Sequence, residues 1–122
     1  MIQYDDSIQK KFTKEINSGT ISLALLAIVS HSKEPLYGYQ IARRLEGSSQ
    51  GETPIKQGTL YPILRSMEAQ GLLSSHVGPS DSGPSRKYYA VTELGMHMLE
   101  EWKTIWVRTR NFVDAALEED HE

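Results

Sequence analysis

The 122-residue chain contains no cysteine. This absence excludes a disulfide framework, a thiolate metal site and a cysteine nucleophile. No apolar run approaches the roughly 18 residues of a membrane-spanning helix. The N-terminal residues MIQYDDSIQKKF are polar and lack the continuous apolar segment of a signal peptide. Together these absences predict one soluble domain, or one domain with an appendage, that resides in the cytoplasm.

Motifs for catalysis and for metal binding are also missing from the sequence. The four histidines, His31, His76, His97 and His121, are scattered and have no partner at metal-ligand spacing. The segment GSSQGE lacks the lysine and the following hydroxyl of a phosphate-binding loop, and no Ser-His-Asp order is present. We therefore expect no enzymatic activity, no metal and no cofactor.

Charge is distributed unevenly along the chain, whose net charge is −3. Residues 35–92 hold six basic and four acidic side chains, whereas residues 93–122 carry a net charge of −5. This asymmetry predicts that a polyanion would meet the middle of the chain and be repelled by its end. Ordinary solvated surface charge is the alternative explanation of the same distribution.

Three helices are predicted in the first half of the chain. An apolar residue at every fourth position, Ile8, Phe12 and Ile16, indicates an N-terminal helix over about 7–17 that ends near Asn17-Ser18-Gly19. Thr20 then opens the segment TISLALLAIVSHS, which is apolar nearly all round and predicts a buried helix. The segment YGYQIARRLEG repeats a helical pattern after Pro35.

The stretch IKQGTLYPILRSMEAQGLL predicts a further helix over about 57–70. Its apolar residues Leu60, Ile63, Leu64 and Met67 recur with the period of one helix face. Small residues and a proline at the front of this stretch, in GTLYP, suit a helix start because a first-turn proline has no N–H to leave unsatisfied. Such a start presents free amides and a positive dipole end, which favour phosphate.

The last third of the chain predicts a β-hairpin followed by a long helix. The β-prone runs LLSSHVG and RKYYAVT flank the loop PSDSGPS, so a wing is expected over about 72–91. Thr92 then starts a helix whose apolar stripe, from Leu94 to Leu117, is too long for one small core and needs a partner. The sequence therefore predicts a mainly α (α+β) fold: a winged helix-turn-helix domain over 1–92 with an N-terminal helix, and a C-terminal dimerisation helix over 93–122.

Four segments in this order and spacing, LYGYQI, GTLYPIL, GLL and RKYYAVTELG, resemble the PadR family of bacterial and archaeal transcriptional regulators. The resemblance covers roughly residues 20–96, and the short chain is similar to the smaller subfamily with a single C-terminal helix. It implies a homodimeric repressor whose last helices cross-pack, with an effector pocket near the dimer interface in some members. One departure lies in the wing, where SGPSRKYY replaces a more basic GRPRKYY, with Ser82 and Ser85 at positions where arginine is common.

Ten residues are candidates for the contact with DNA, because they lie on or beside the polar side of the helix over 57–70, at the start of the preceding helix or in the wing. They are Tyr37, Tyr39, Lys56, Gln57, Gly58, Thr59, Tyr61, Arg65, Arg86 and Lys87. Lysine and arginine suit phosphate or guanine edges, and Gln57 suits adenine. Core packing is the alternative for Tyr61, and a solvated surface is the alternative for the charged residues.

Five residues on the last helix are candidates for the dimer interface or for an effector site: Met98, Trp102, Ile105, Trp106 and Phe112. The two indoles are one helical turn apart and can stack on a planar aromatic or cationic small molecule. Plain interface packing is the alternative. The sequence as a whole predicts a dimeric regulator, a repressor released by such an effector, that binds double-stranded DNA at a pseudo-palindromic operator; the alternative is a winged-helix module that binds proteins.

Overall fold

The computed structural model describes residues 6–48 and 57–118. Its elements are α1 (Asp6–His31), β1 (Leu36–Tyr37), α2 (Gly38–Ser48), α3 (Gln57–Ala69), β2 (Leu73–Gly78), β3 (Arg86–Val91) and α4 (Glu93–Leu117). Helices dominate, and the strands form one small antiparallel sheet with the order β1-β3-β2. The predicted mainly α class is confirmed.

The core lies between the C-terminal half of α1, the helices α2 and α3, the sheet and the first two turns of α4. Its fully buried side chains are Leu25, Leu26, Ile41, Leu60, Leu64, Met67 and Leu73. The segment of α1 that is apolar nearly all round supplies four of the buried core residues, Ile21, Leu25, Leu26 and Val29.

The first helix is continuous, and the predicted end near residue 17 is wrong. The α1 helix runs through Asn17, Ser18 and Gly19 to His31. Thr20, which the sequence places as the opening of a second helix, donates its hydroxyl to the Ile16 carbonyl at 2.8 Å. This bond lies within the helix, where a capping threonine would instead accept from an amide further along the chain.

The sheet has three strands, whereas the sequence predicts only the two strands of the hairpin. The additional strand β1 pairs Leu36 with Tyr89 and Tyr37 with Tyr88. A two-residue strand is too short to show any alternation of apolar and polar residues, so the sequence gives no signal for it. Its effect is to hold the start of α2 against β3.

The end of α3 and the start of α4 are joined by hydrogen bonds. Gly71, at φ 84°, donates to the Glu68 carbonyl at 2.9 Å, and the next amide donates to Met67 at 3.0 Å, which is a Schellman motif. Thr92 caps α4 by accepting from the Gly95 amide at 2.9 Å. The same hydroxyl lies 2.6 Å from the Gly71 carbonyl, to which it donates, so one side chain bonds to both helix ends.

The outer ends of α1 and α4 carry no covering layer within the described chain. Every residue over 6–16 and over 103–118 is exposed, although α4 is buried at Gly95 and Leu99. None of the helices in the described part of the chain is both long and apolar enough to cross a membrane.

Candidate nucleic-acid interface

The N-terminus of α2, one face of α3 and the start of β3 enclose a hollow of about 560 Å³, which we call the tyrosine hollow. Its lining residues are Tyr37, Gly38, Tyr39, Tyr61, Arg65, Arg86, Lys87 and Tyr89. Six of the ten candidates for the DNA contact are therefore brought together at one surface. Three cations lie among four phenol rings, which is a surface suited to phosphate and to flat apolar groups.

Close packing of α2 against α3 shapes one wall of the tyrosine hollow. A Cβ added to Gly38 would lie 2.8 Å from the Tyr61 hydroxyl oxygen and 2.9 Å from its Cζ, so any larger residue there requires the ring to shift. Tyr61 is 36% exposed and belongs to the surface, not to the core. The Gln40 side chain accepts from the Tyr37 amide at 3.1 Å, which is one half of a capping box at the start of α2.

A row of aromatic rings supports Arg86 in the second wall. The Arg86 guanidinium lies 3.9 Å from the centre of the Tyr37 ring, a distance at which a cation is attracted to the ring face. The Tyr37 ring meets Tyr88 edge-on at 5.6 Å, and Tyr88 stacks on His76 at 5.5 Å. The Tyr88 hydroxyl in turn donates to the Pro79 carbonyl at 2.6 Å, at the start of the wing loop.

Lys87 lies beside Arg86 in sequence but has a different partner. Its ammonium is 3.0 Å from Oε1 of Glu68 on α3, and the other oxygen of that carboxylate accepts from the Ser75 hydroxyl at 2.5 Å. The hydrogen bond from Ser75, followed by the one from Lys87, holds the pKa of the Glu68 carboxyl below its ordinary value. The hydrogen bond to Glu68 raises the pKa of the Lys87 ammonium.

The remaining candidates lie at or before the start of α3. Lys56 lies outside the described residues, and Gln57 is the first residue of the helix. Gly58 and Thr59 are exposed in the first turn and do not line the tyrosine hollow. Pro62 lies in the second turn, one turn later than a helix-start proline; because it has no N–H, it cannot donate to the Gly58 carbonyl.

Two residues of this surface were missed by the sequence prediction, namely Glu68 and Gln40. Glu68 is 19 positions from Lys87, so no local spacing indicates their contact. Gln40 did carry a signal, since a glutamine three residues after a helix start is a capping-box residue. Tyr89, which also lines the hollow, is buried, whereas its neighbour Tyr88 is half-buried, because successive residues of a strand face opposite sides.

The five candidates on α4 divide into two groups. Met98 and Trp102 are partly buried and pack against the core of their own chain. Ile105, Trp106 and Phe112 are exposed, with Trp106 at 40% and Phe112 at 75%. Within residues 6–48 and 57–118, no group of three histidine or acidic side chains is arranged to hold a metal ion.

The sequence and the fold of this chain both match those of known transcriptional regulators. The model of the "Transcriptional regulator PadR-like family" matches residues 25–101. A PadR family transcriptional regulator from Eggerthella lenta DSM 2243 is 34% identical, with a TM-score of 0.76 over 93% of this chain and 95% of that one. A PadR-like regulator from Bacillus cereus is 30% identical, with a TM-score of 0.69 over 85% and 97% of the two chains.

A curated relative is longer than this chain. The transcriptional regulator YqjI of Escherichia coli K12 is 30% identical over 83 residues, which are 68% of this chain and 37% of that protein. The residues that match the family model include every residue that lines the tyrosine hollow. The chain belongs to the PadR-like family of transcriptional regulators.

Proposed function

We propose that the protein is a homodimeric repressor that binds a pseudo-palindromic operator through the tyrosine hollow and the start of α3, and that a small molecule at the dimer interface releases it. The observation that carries the DNA contact is the grouping of Arg65 and Arg86 at one surface of a chain whose net charge is −3. In this arrangement α3 enters the major groove, and the wing meets the flanking phosphates.

The side chains of the hollow suit these two kinds of contact, with bases in the groove and with flanking phosphates. Arg65 is exposed on α3 and can reach base edges or phosphate as the helix lies in the groove. Arg86 lines the hollow with its guanidinium over the Tyr37 ring, which leaves its N–H donors to bind phosphate. The phenols of Tyr39 and Tyr61 add hydroxyl donors for phosphate oxygens.

Dimerisation is supported by the exposed ends of α1 and α4. Ile8 and Phe12 on α1 and Ile105, Phe112 and Leu117 on α4 are large apolar side chains that nothing in the described chain covers. Such a stripe is stable in water when a second copy buries it. A two-fold dimer places two copies of α3 about 34 Å apart, one helical turn of DNA.

The proposed effector site lies on the same face of α4. Trp106 is the more exposed of the two indoles, since Trp102 is already partly buried against its own core. A planar aromatic or cationic molecule that stacks on Trp106 between two copies shifts the equilibrium only by preferring one dimer geometry. Quenching of tryptophan fluorescence with simultaneous release of DNA tests this site; quenching without release contradicts it.

The DNA contact is tested with the operator recovered by pull-down from genomic fragments. Arg65→Ala and Arg86→Ala should each weaken binding by about 1–3 kcal/mol for a base contact, or lower the salt slope by about one for a phosphate contact. Lys14→Ala, on the exposed N-terminal part of α1, is the control and should bind as the wild type does. Unchanged affinity and salt slope in both arginine variants would place the DNA contact elsewhere.

A further inference from the structure

Glu68 connects the proposed DNA-reading helix to both strands of the wing. It lies in the last full turn of α3, where Oε2 accepts from Ser75 on β2 and Oε1 faces the ammonium of Lys87 on β3. Both carboxylate oxygens are therefore occupied, one by each strand. Neither contact follows from local sequence, so the arrangement is a property of the folded wing.

The three cations of the tyrosine hollow differ in how their charge is balanced. Among the described residues, no carboxylate lies within 4.0 Å of Arg65 or Arg86, whereas Lys87 is paired at 3.0 Å. Arg86 has the Tyr37 ring as its neighbour, and a ring does not cancel the charge. The electrostatic attraction for a polyanion therefore comes from the two arginines.

The ion pair of Lys87 competes with phosphate. A lysine contributes to non-specific DNA binding by replacing condensed counterions along the backbone. Lys87 is paired with Glu68, and if it turns to phosphate instead, the carboxylate keeps the hydrogen bond from Ser75 but faces the polyanion without a compensating positive charge. This exchange removes most of the gain, because the new attraction is offset by repulsion from a group on the same surface.

From this geometry we infer that Glu68 is a positioning residue that sets DNA selectivity by holding Lys87 on the wing and away from the phosphate backbone. The inference rests on the proposed function, since it concerns the same surface. The adjacent pair Arg86 and Lys87 suggests that both residues bind phosphate, whereas this inference keeps Lys87 from doing so. Binding to random DNA is kept low, and contacts made by α3 account for a larger share of operator binding.

A double-mutant cycle on random-sequence duplex tests the inference. The salt slope of binding, measured by fluorescence anisotropy with the 122-residue chain, is compared for the wild type, Glu68→Gln, Lys87→Ala and the double variant. Glutamine keeps the shape of the side chain and an oxygen for Ser75 but removes the charge. Glu68→Gln should steepen the slope by about 0.9 for each chain that touches DNA, and the double variant should return to the wild-type slope.

A matched control separates the local effect from a general change in charge. Glu100→Gln removes the same charge and breaks a comparable exposed pair, Lys103–Glu100 at 2.8 Å, on α4. It should leave the salt slope within about 0.3 of the wild type, since a distant exposed charge is screened. Urea unfolding of each variant, with the slope of the transition unchanged, verifies that the wing and core remain folded.

Three results would overturn the inference. A double variant whose slope is lower than that of the wild type by about 0.9 per chain would show that Lys87 already contacts phosphate. A slope for Glu68→Gln equal to that of the wild type would show that release of Lys87 adds no contact. A wild-type protein that does not bind the operator recovered by pull-down would remove the proposed function itself, and this outcome is distinct because it appears before any variant is compared.

Discussion

At the scale of single residues, neighbours in sequence have different roles because their partners come from other elements. Arg86 and Lys87 form an adjacent basic pair, and the sequence predicts the same phosphate contact for both. In the structure Arg86 lies over Tyr37 and Lys87 pairs with Glu68. Chemical type is thus predictable from the sequence, but the partner depends on how β3 packs against α3.

Gly38 allows the Tyr61 ring to lie close against the start of α2, and the importance of this contact can be tested. Gly38→Ala brings a Cβ within 2.9 Å of the Tyr61 ring, so the ring or α2 must shift. We expect a loss of about 1–3 kcal/mol in the free energy of unfolding, as for overpacking elsewhere, together with weaker DNA binding. The measurement is urea unfolding combined with operator binding.

Gly47→Ala is the control for that substitution, on the same helix. Nothing lies within 4 Å of a Cβ at Gly47, so alanine should be neutral or stabilise α2 by up to about 1 kcal/mol. Equal stability of the two variants would mean that Tyr61 moves aside at no cost and that the close approach does not shape the hollow.

The lowered pKa of Glu68 predicts a dependence of stability on acid pH. Because its folded-state pKa is below the ordinary value, the contribution of this group is complete above about pH 4.3 and declines as pH falls through the folded-state pKa. The stability difference between the wild type and Glu68→Gln should therefore shrink below about pH 4. Urea unfolding at several pH values measures it, and a difference that stays constant down to pH 3 would contradict the role of the charge.

At the scale of elements, the amphipathic patterns predict where helices occur better than where they end. The sequence Asn17-Ser18-Gly19 has low helix propensity, yet α1 passes through it. The buried segment that follows, from Ile21 to Val29, outweighs a local cost of roughly 1 kcal/mol for a glycine. Strand β1 likewise cannot be predicted from local sequence, because it forms by pairing with β3.

Thr92 joins the end of α3 to the start of α4, and the strength of this connection can be tested. Thr92→Val removes the hydroxyl that caps α4 and that also donates to the Gly71 carbonyl. The loss of this cap should lower the free energy of unfolding by about 1–2 kcal/mol. Thr92→Ser keeps the hydroxyl and should lose less than half as much; a Thr92→Val variant as stable as the wild type would show that the cap does not contribute.

At the scale of the whole molecule, the apolar stripe of α4 continues beyond the core that it covers. Leu99 is buried, whereas all residues over 103–118 are exposed. Sequence periodicity predicts such a stripe, but it cannot say where the chain's own core stops covering it. That boundary falls near Trp102, which packs on the core, so the residues beyond it form the proposed surface for a second copy.

Phe112→Glu tests this surface. Phe112 is 75% exposed in the single chain, and a carboxylate there would be costly to bury between two copies. Light scattering at micromolar concentration should give the mass of two chains for the wild type and of one chain for the variant. Val77→Glu, at a side chain that is 71% exposed on the wing, is the control and should remain dimeric. A wild-type protein with the mass of one chain would contradict the proposed dimer.

The bond between Thr92 and Gly71 makes α4 a lever arm fixed to the end of α3. The arm is 25 residues long, so its length is about 37 Å, and a rotation of roughly 10° about Thr92 carries the far end through an arc of about 6 Å. Conversely, if the far ends are clamped together in a dimer, the same rotation swings α3 by a comparable arc. A displacement of that size is close to two base-pair steps of DNA, enough to move one reading helix out of register with its half-site.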